Sequence, residues 1–400
     1  MNRSIDEARL SPVPFARPSI GPEEEEAVLE VLRSGWLTTA GQSQAFEKEF
    51  AAYTGASHAL AVNSATAGLH LALEALKIGP GDRVITTPYT FTASAEVIRY
   101  LNADPLFVDI ERDTLNIDPD GIARAVARDK KVRALIPVHI GGRPCSMDLI
   151  TEIARNHRIP IVEDAAHAFP VQTPDAFIGC IGDIGVYSFY ATKTITTGEG
   201  GMVVTSDPEI ARRISVMRLH GIDREVWRRY TDQKASWSYD VIEAGYKYNL
   251  PDIAAAIGRV QLKKAADFMR RRGEIARMYS TAFAKYDFLR LPPVTGPHAW
   301  HLYVLQLDLD RLSIDRDHFI QRLQQRGIGT SVHYIPLHTM SYYRRRYGFQ
   351  PEDFPVSMQV FESAVSLPIY PDLTDEEVGR VIDAVTAVGR EVYRRPAGGA

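Results

Sequence analysis

Five short apolar runs separated by amphipathic stretches constrain this chain more than any other feature. They are HALAVNS (58–64), RVITTP (83–88), PLFVDI (105–110), RALIPVHI (133–140) and IPIVEDA (159–165). Each has the length and apolar content of a buried strand. Between most of them lie segments such as ATAGLHLALEALK (65–77) and FTASAEVIRYLN (91–102), whose apolar residues recur at helical spacing. Strand and helix in alternation predict an α/β fold, with a mainly parallel sheet covered by helices on both faces. Ligands of such sheets bind outside the carboxyl ends of the strands, so chemistry is expected there.

The stretch from about Glu23 to Tyr53 reads as helical. A long helical pattern starts at Pro251, a favourable first helical position, with Gly258 and Gly273 as points where it can kink. The pattern then restarts as strand HLYVLQLDL (301–309), helix RDHFIQRLQQRG (316–327), strand TSVHYIP (330–336) and a last helix opened by TDEE, which has capping-box spacing. Four hundred residues exceed the usual single core. The expected organisation is an N-terminal extension (1–22), a large domain (23–265) and a small C-terminal domain (266–400).

A net charge of -4 with 24% charged residues argues against a nucleic-acid-coating protein. The basic runs MRRRGE (269–274) and YYRRRYG (342–348) read as solvated or interface charge, with contact to a phosphate as the alternative. The two cysteines, Cys145 and Cys180, have neither disulfide nor metal-ligand spacing. With no secretion-type segment and no long apolar stretch, a cytoplasmic protein without membrane or metal is expected.

Three strand ends carry candidate chemistry. Lys193 follows the apolar run VYSFYA and precedes TITTGEGG. A surface lysine explains it on position alone; the other reading is a desolvated amine that bonds to a carbonyl compound. Asp164 ends IPIVED, where it serves either as a helix cap or as the fixed anion beside a pyridine nitrogen. NSATAGLH opens a helix, and the backbone N–H groups of Thr66 and Ala67 are placed either for a plain helix start or for a phosphate. Ser188, five residues before Lys193, adds a hydroxyl. Amine, anion and phosphate cradle are the three needs of pyridoxal 5'-phosphate.

VEDAAHA (162–168), GDIGVYSFYATKTITTGEGGMVVT (182–205), NSATAGLHLAL (63–73) and GYKYNLPDIAAAIGRVQL (245–262) resemble the DegT/DnrJ/EryC1/StrS family of sugar aminotransferases. The resemblance runs in order from about Ser34 to the region of Ser366. It implies an aspartate aminotransferase-type fold and a homodimer with active sites at the subunit interface. It also implies that Lys193 holds the cofactor and acts as general acid and base, that Asp164 pairs with the ring nitrogen, and that His167 lies near the ring. By the same resemblance Phe91 stacks on the ring, Thr66, Ala67 and Ser188 hold the phosphate, and Asn249 reaches the phosphate from the other subunit. Read without the resemblance, Phe91 is core, His167 structural and Asn249 a helix cap. LTTAGQSQ (37–44) departs from the family's more usual Gly-Pro, so no sugar contacts are carried over there.

The later stretches SVHYIPLHTMSYYRRRYG (331–348) and SLPIYPD (366–372) look most like the branch that aminates C4 of UDP-linked 4-keto sugars. That makes His338, His333 and Tyr334 candidates for the sugar nucleotide. L-Glutamate is the donor the resemblance implies. The alternatives are amination at C3, dehydration or aromatization on the same fold, or a regulator without catalysis.

Overall fold

The computed structural model describes residues 11–174, 176–223 and 239–394. Its first half runs α1 (Pro22–Ser34), α2 (Gly41–Thr54), β1 (His58–Val62), α3 (Ala65–Ala75), β2 (Arg83–Thr86), α4 (Ala93–Tyr100), β3 (Asp104–Phe107), α5 (Pro119–Arg128), β4 (Val132–Leu135), α6 (Met147–His157), β5 (Val162–Asp164), β6 (Ile184–Ser188), β7 (Gly201–Thr205) and α7 (Pro208–Met217). The helical stretch expected up to Tyr53 is therefore two helices. Gly35, at φ 71°, ends the first in a left-handed turn.

Strands β3, β2 and β4 pair in parallel, as do β5 and β6, and single parallel bridges Leu135–Ile161 and Val138–Asp164 join the two groups. Strand β7 pairs antiparallel with β6 on one side and β1 on the other. The spatial order is thus β3-β2-β4-β5-β6-β7-β1, mainly parallel as the alternation implies, with β7 alone reversed. The cause is the connection 189–200, which holds no crossover helix; a parallel return needs one.

Alternation along the central strands separates two packing layers. Ile184 and Val186 of β6 and Val203 of β7 face a core with α3, α4 and α7, whereas Tyr187, Phe189 and Met202 face Phe46 and Phe50 of α2.

The second half contains α8 (Asp252–Phe283), β8 (Leu289–Arg290), β9 (Tyr303–Leu307), α9 (Arg316–Gln325), α10 (Ser341–Tyr347), α11 (Pro355–Ser363), β10 (Ala364–Leu367) and α12 (Asp375–Val392). Helix α8 passes through Gly258 and Gly273 as one continuous helix. Gly258 serves packing instead, since a Cβ there would lie 2.7 Å from the Phe46 ring. Leu262, Ala265 and Phe268 belong to the core of the large sheet, while Ile275, Ala276, Tyr279 and Phe283 join a separate core with β9, β10, α12 and Val13. Val13 is bridged to Ile328, so the N-terminal stretch is built into the C-terminal core.

The strand expected over 330–336 is reduced to one bridge, Ser331–Ser366. The Tyr89 hydroxyl donates to the His333 carbonyl, which a strand would have given to a neighbour, and Pro336 offers no N–H. The TDEE start is a reciprocal cap: Thr374 Oγ1 accepts from the Glu377 N–H, and the Glu377 carboxylate accepts from the Thr374 N–H. Among the described residues no helix is long and apolar enough to cross a membrane.

Candidate active site

The acid doublet ending β5 divides its work by alternation, because neighbouring strand residues point to opposite faces. Glu163 is fully buried and accepts from the N–H groups of Gly179, Ile181 and Gly182 at 2.9, 2.7 and 2.6 Å and from His139 Nε2 at 3.1 Å. The backbone N–H of Cys145 donates to His139 Nδ1, which leaves Nε2 to donate to Glu163. Asp164 is 4% exposed; its carboxylate accepts from Ser94 Oγ at 2.7 Å and from the Ala166 N–H at 3.2 Å. Burial pushes the Asp164 carboxyl up, while those two hydrogen bonds and the charge of Lys193 hold it down. No helix starts after Asp164, so the cap reading falls away.

Lys193 lies past the end of β6 rather than on it, in a turn closed by its N–H to the Tyr190 carbonyl. It is partly exposed, yet the protein packed around it lowers its ammonium to about 8, with the Asp164 carboxylate working against that shift. An amine with this pKa is partly neutral near physiological pH, which a solvated surface lysine is not.

His167 is 5% exposed and held at both nitrogens. The Gly141 N–H donates to Nδ1 at 3.2 Å, which leaves the proton on Nε2 to be donated to the Tyr334 hydroxyl at 3.0 Å. Burial first, and the charge of Lys193 second, keep this ring well below the ordinary histidine range. Burial pushes the Tyr334 phenol up. His333 is lowered to about 4 by burial and then by Lys193, and its Nδ1 pairs with Ser366 Oγ at 2.9 Å. Phe91 is not core: it is 58% exposed between β2 and α4, with its ring centroid 6.4 Å from that of Tyr334.

At the start of α3, Ser64 caps the helix and takes the Ala67 N–H at 3.1 Å. Gly201 allows β7 to pass close, since a Cβ there would meet the Ala65 nitrogen at 2.8 Å. Thr66 and Ser188 are both partly exposed, Ser188 at the carboxyl end of β6.

Two sequence candidates lie apart. Asn249 is bridged to Val62 and lines a cleft with Thr38, Thr39, Arg218 and Lys247. Its Nδ2 donates to Thr39 Oγ1 at 2.6 Å and it caps nothing; Pro251 is the residue before α8. Asp252, unnoticed in the sequence, binds the start of α2 through the N–H groups of Ala40, Gln42 and Ser43 at 2.7, 3.1 and 3.0 Å. This contact organises the LTTAGQSQ loop where the Gly-Pro is missing. His338 departs from its expected place in a sugar contact: it is 0% exposed, 4.8 Å from the Phe354 ring, and bonded to the Pro351 carbonyl at 3.2 Å. The side chain sealed in that core offers no surface to a ligand.

The residues at the carboxyl ends of β1, β2, β5 and β6 fit pyridoxal phosphate: a helix start, an outward-facing aromatic ring, a buried anion and an amine of lowered pKa. The comparisons agree. The model of the DegT/DnrJ/EryC1/StrS aminotransferase family matches residues 18–386. The spore coat polysaccharide biosynthesis protein SpsC of Bacillus subtilis is 48% identical over 376 residues, 93% of this chain and 96% of that one. Spr1654 of Streptococcus pneumoniae, solved in PLP and PMP forms, is 32% identical; its PMP form superposes with TM-score 0.89 over 95% of this chain and 99% of its own. PseC of Helicobacter pylori, an aminotransferase of pseudoaminic acid biosynthesis, gives TM-score 0.88 at 27% identity over 95% of this chain and 100% of its own. Family model, fold and fitted site converge: this chain belongs to the DegT/DnrJ/EryC1/StrS aminotransferase family and is a pyridoxal-phosphate-dependent enzyme.

Proposed function

We propose that the enzyme transfers an amino group from L-glutamate to C4 of a nucleotide-linked 4-keto sugar, UDP-linked by its resemblance, in a cytoplasmic homodimer. The amino-sugar product is supported by the roles that SpsC and PseC carry in their names. The observation that carries the chemistry is the placement of Lys193, lowered to about 8, within electrostatic reach of the buried carboxylate of Asp164.

Bound pyridoxal phosphate supplies the electron sink for the carbon that loses its proton. Asp164, oriented by Ser94 and the Ala166 N–H, gives the ring nitrogen its fixed negative partner. Lys193 Nζ takes the proton from the α-carbon of the donor and later returns one to the sugar carbon that receives the amine. Phe91 would offer its face to the ring, and Thr66, the α3 start at Ala67 and Ser188 would hold the phosphate, with Asn249 reaching the site of the partner subunit. His333 and Tyr334 border the place of the sugar. His167, His333 and Tyr334 stay uncharged, so the mobile proton belongs to Lys193.

The test is incubation of the cofactor-loaded enzyme with L-glutamate and a panel of UDP-, dTDP- and GDP-linked keto sugars, with products identified by NMR. Formation of 2-oxoglutarate together with a 4-amino sugar is expected. Amination at C3, or loss of water without nitrogen transfer, overturns the proposal.

A further inference from the structure

His301 brings a further buried imidazole against His167, within electrostatic reach of Lys193, and it comes from the C-terminal half of the chain. It is 6% exposed, just ahead of β9, and its ring centroid lies 4.4 Å from that of His167 at 42°. Its backbone is held firmly. Arg272 of α8, 3% exposed, donates from Nη1 to the carbonyls of Trp300, His301 and Ile369 at 3.2, 3.4 and 2.7 Å. The Ala299 N–H donates to the Gly142 carbonyl at 2.9 Å and the Leu302 N–H to the Gly141 carbonyl at 3.1 Å. Gly141 is also the residue whose N–H fixes His167 Nδ1. One short turn of the large sheet therefore sets both rings.

Trp300 stands at φ 50°, an uncommon region for a bulky side chain, with the His298 ring stacked on it at 3.8 Å. Such a conformation persists only where its surroundings determine it. His301 Nδ1 is buried and has no hydrogen-bond partner among the described residues, so a proton on that nitrogen would go unpaired there. Burial keeps the ring far below the ordinary histidine range; Lys193, His167, Arg272 and His333 act in the same direction.

We propose that His301 is a positioning residue of the reaction centre, its uncharged ring face fixing the imidazole of His167 and closing the wall that Lys193 faces. The effect is assigned to the flat ring and not to Nδ1, which meets no hydrogen-bond partner among the described residues. The inference rests on the role of Lys193 proposed above. Losing the ring takes the packing face from His167 and opens the wall to water beside the lysine, and water favours the protonated form.

The experiment is a pH titration of the visible band of the lysine-bound cofactor in the wild type, His301→Ala, His301→Leu and His301→Phe. His301→Ala and His301→Leu are expected to raise the midpoint by at least about half a unit and to lower kcat about tenfold, with KM for L-glutamate nearly unchanged. His301→Phe, which keeps face and neutrality, is expected to titrate like the wild type with kcat within about threefold. The leucine variant keeps apolar volume but lacks the flat face that packs on His167, and it reports even if the alanine cavity unfolds the chain. An unmoved midpoint in the leucine variant overturns the inference, as does a phenylalanine variant displaced as far as leucine. Borohydride reduction and peptide mapping run in parallel: cofactor fixed to any residue other than Lys193 overturns the lysine assignment itself, whereas cofactor on Lys193 with unmoved titrations overturns only the role of His301.

Discussion

The two halves of the reaction centre are built by different means. On the sheet side, Asp164 and Ser188 end strands, and Lys193 follows in the turn beyond. On the C-terminal side, His301, His333 and Tyr334 sit on irregular backbone held by cross-links such as Arg272 on three carbonyls and Tyr89 on His333. Strand ends place charged groups by local geometry, whereas coil places neutral groups by contacts far apart in sequence. In the proposed mechanism Lys193 and Asp164 perform the chemistry, and the neutral wall, by excluding water, helps hold the lysine ammonium below its ordinary range.

The strongest way to break this contrast is Lys193→Ala. Loss of both the cofactor link and the proton carrier is expected to lower turnover by at least about 10⁴-fold, measured as 2-oxoglutarate release. An active alanine variant would remove the sheet side from the mechanism.

Asp164→Asn is expected to cost about 10²- to 10³-fold, because the ring nitrogen loses its anion. It also carries a pH signature. Only neutral Lys193 accepts a proton, so the rate should rise with pH toward about 8 and then level. The Asp164 charge raises the lysine pKa, so the asparagine variant should move that rise to lower pH. A rise moved the other way would contradict the electrostatic account.

His338→Leu sharpens the boundary of the C-terminal half and has the smallest expected effect on rate. Removing the partner of the Pro351 carbonyl should destabilise the fold by about 1–3 kcal/mol, read from a urea titration, with kcat and KM within about threefold. A tenfold rise in KM for the sugar would return His338 to the substrate.

The sequence shows the sheet side well, for physical reasons. A strand end followed by small residues or a helix start has a local signature, and Lys193, Asp164 and the α3 start carry it. The reversal of β7 was hidden, although the helix-free connection 189–200 was its cause. His301 was invisible as a site residue because its meaning lies in Gly141, far away in sequence. His338 and the 330–336 stretch misled because aromatic and apolar residues in a short run look the same in a strand as in a coil packed on Phe354 and Tyr89.

Val13 adds a consequence for the newborn chain. Domains made on the ribosome tend to fold in order of synthesis. Here Val13, made before the large sheet, completes a core whose other members, from Ile275 to Val392, are made after it. The large sheet has its strands in hand by Thr205 and can form while translation continues. The second core must wait until Val392 has been made, and until then the stretch around Val13 lacks the core that receives it.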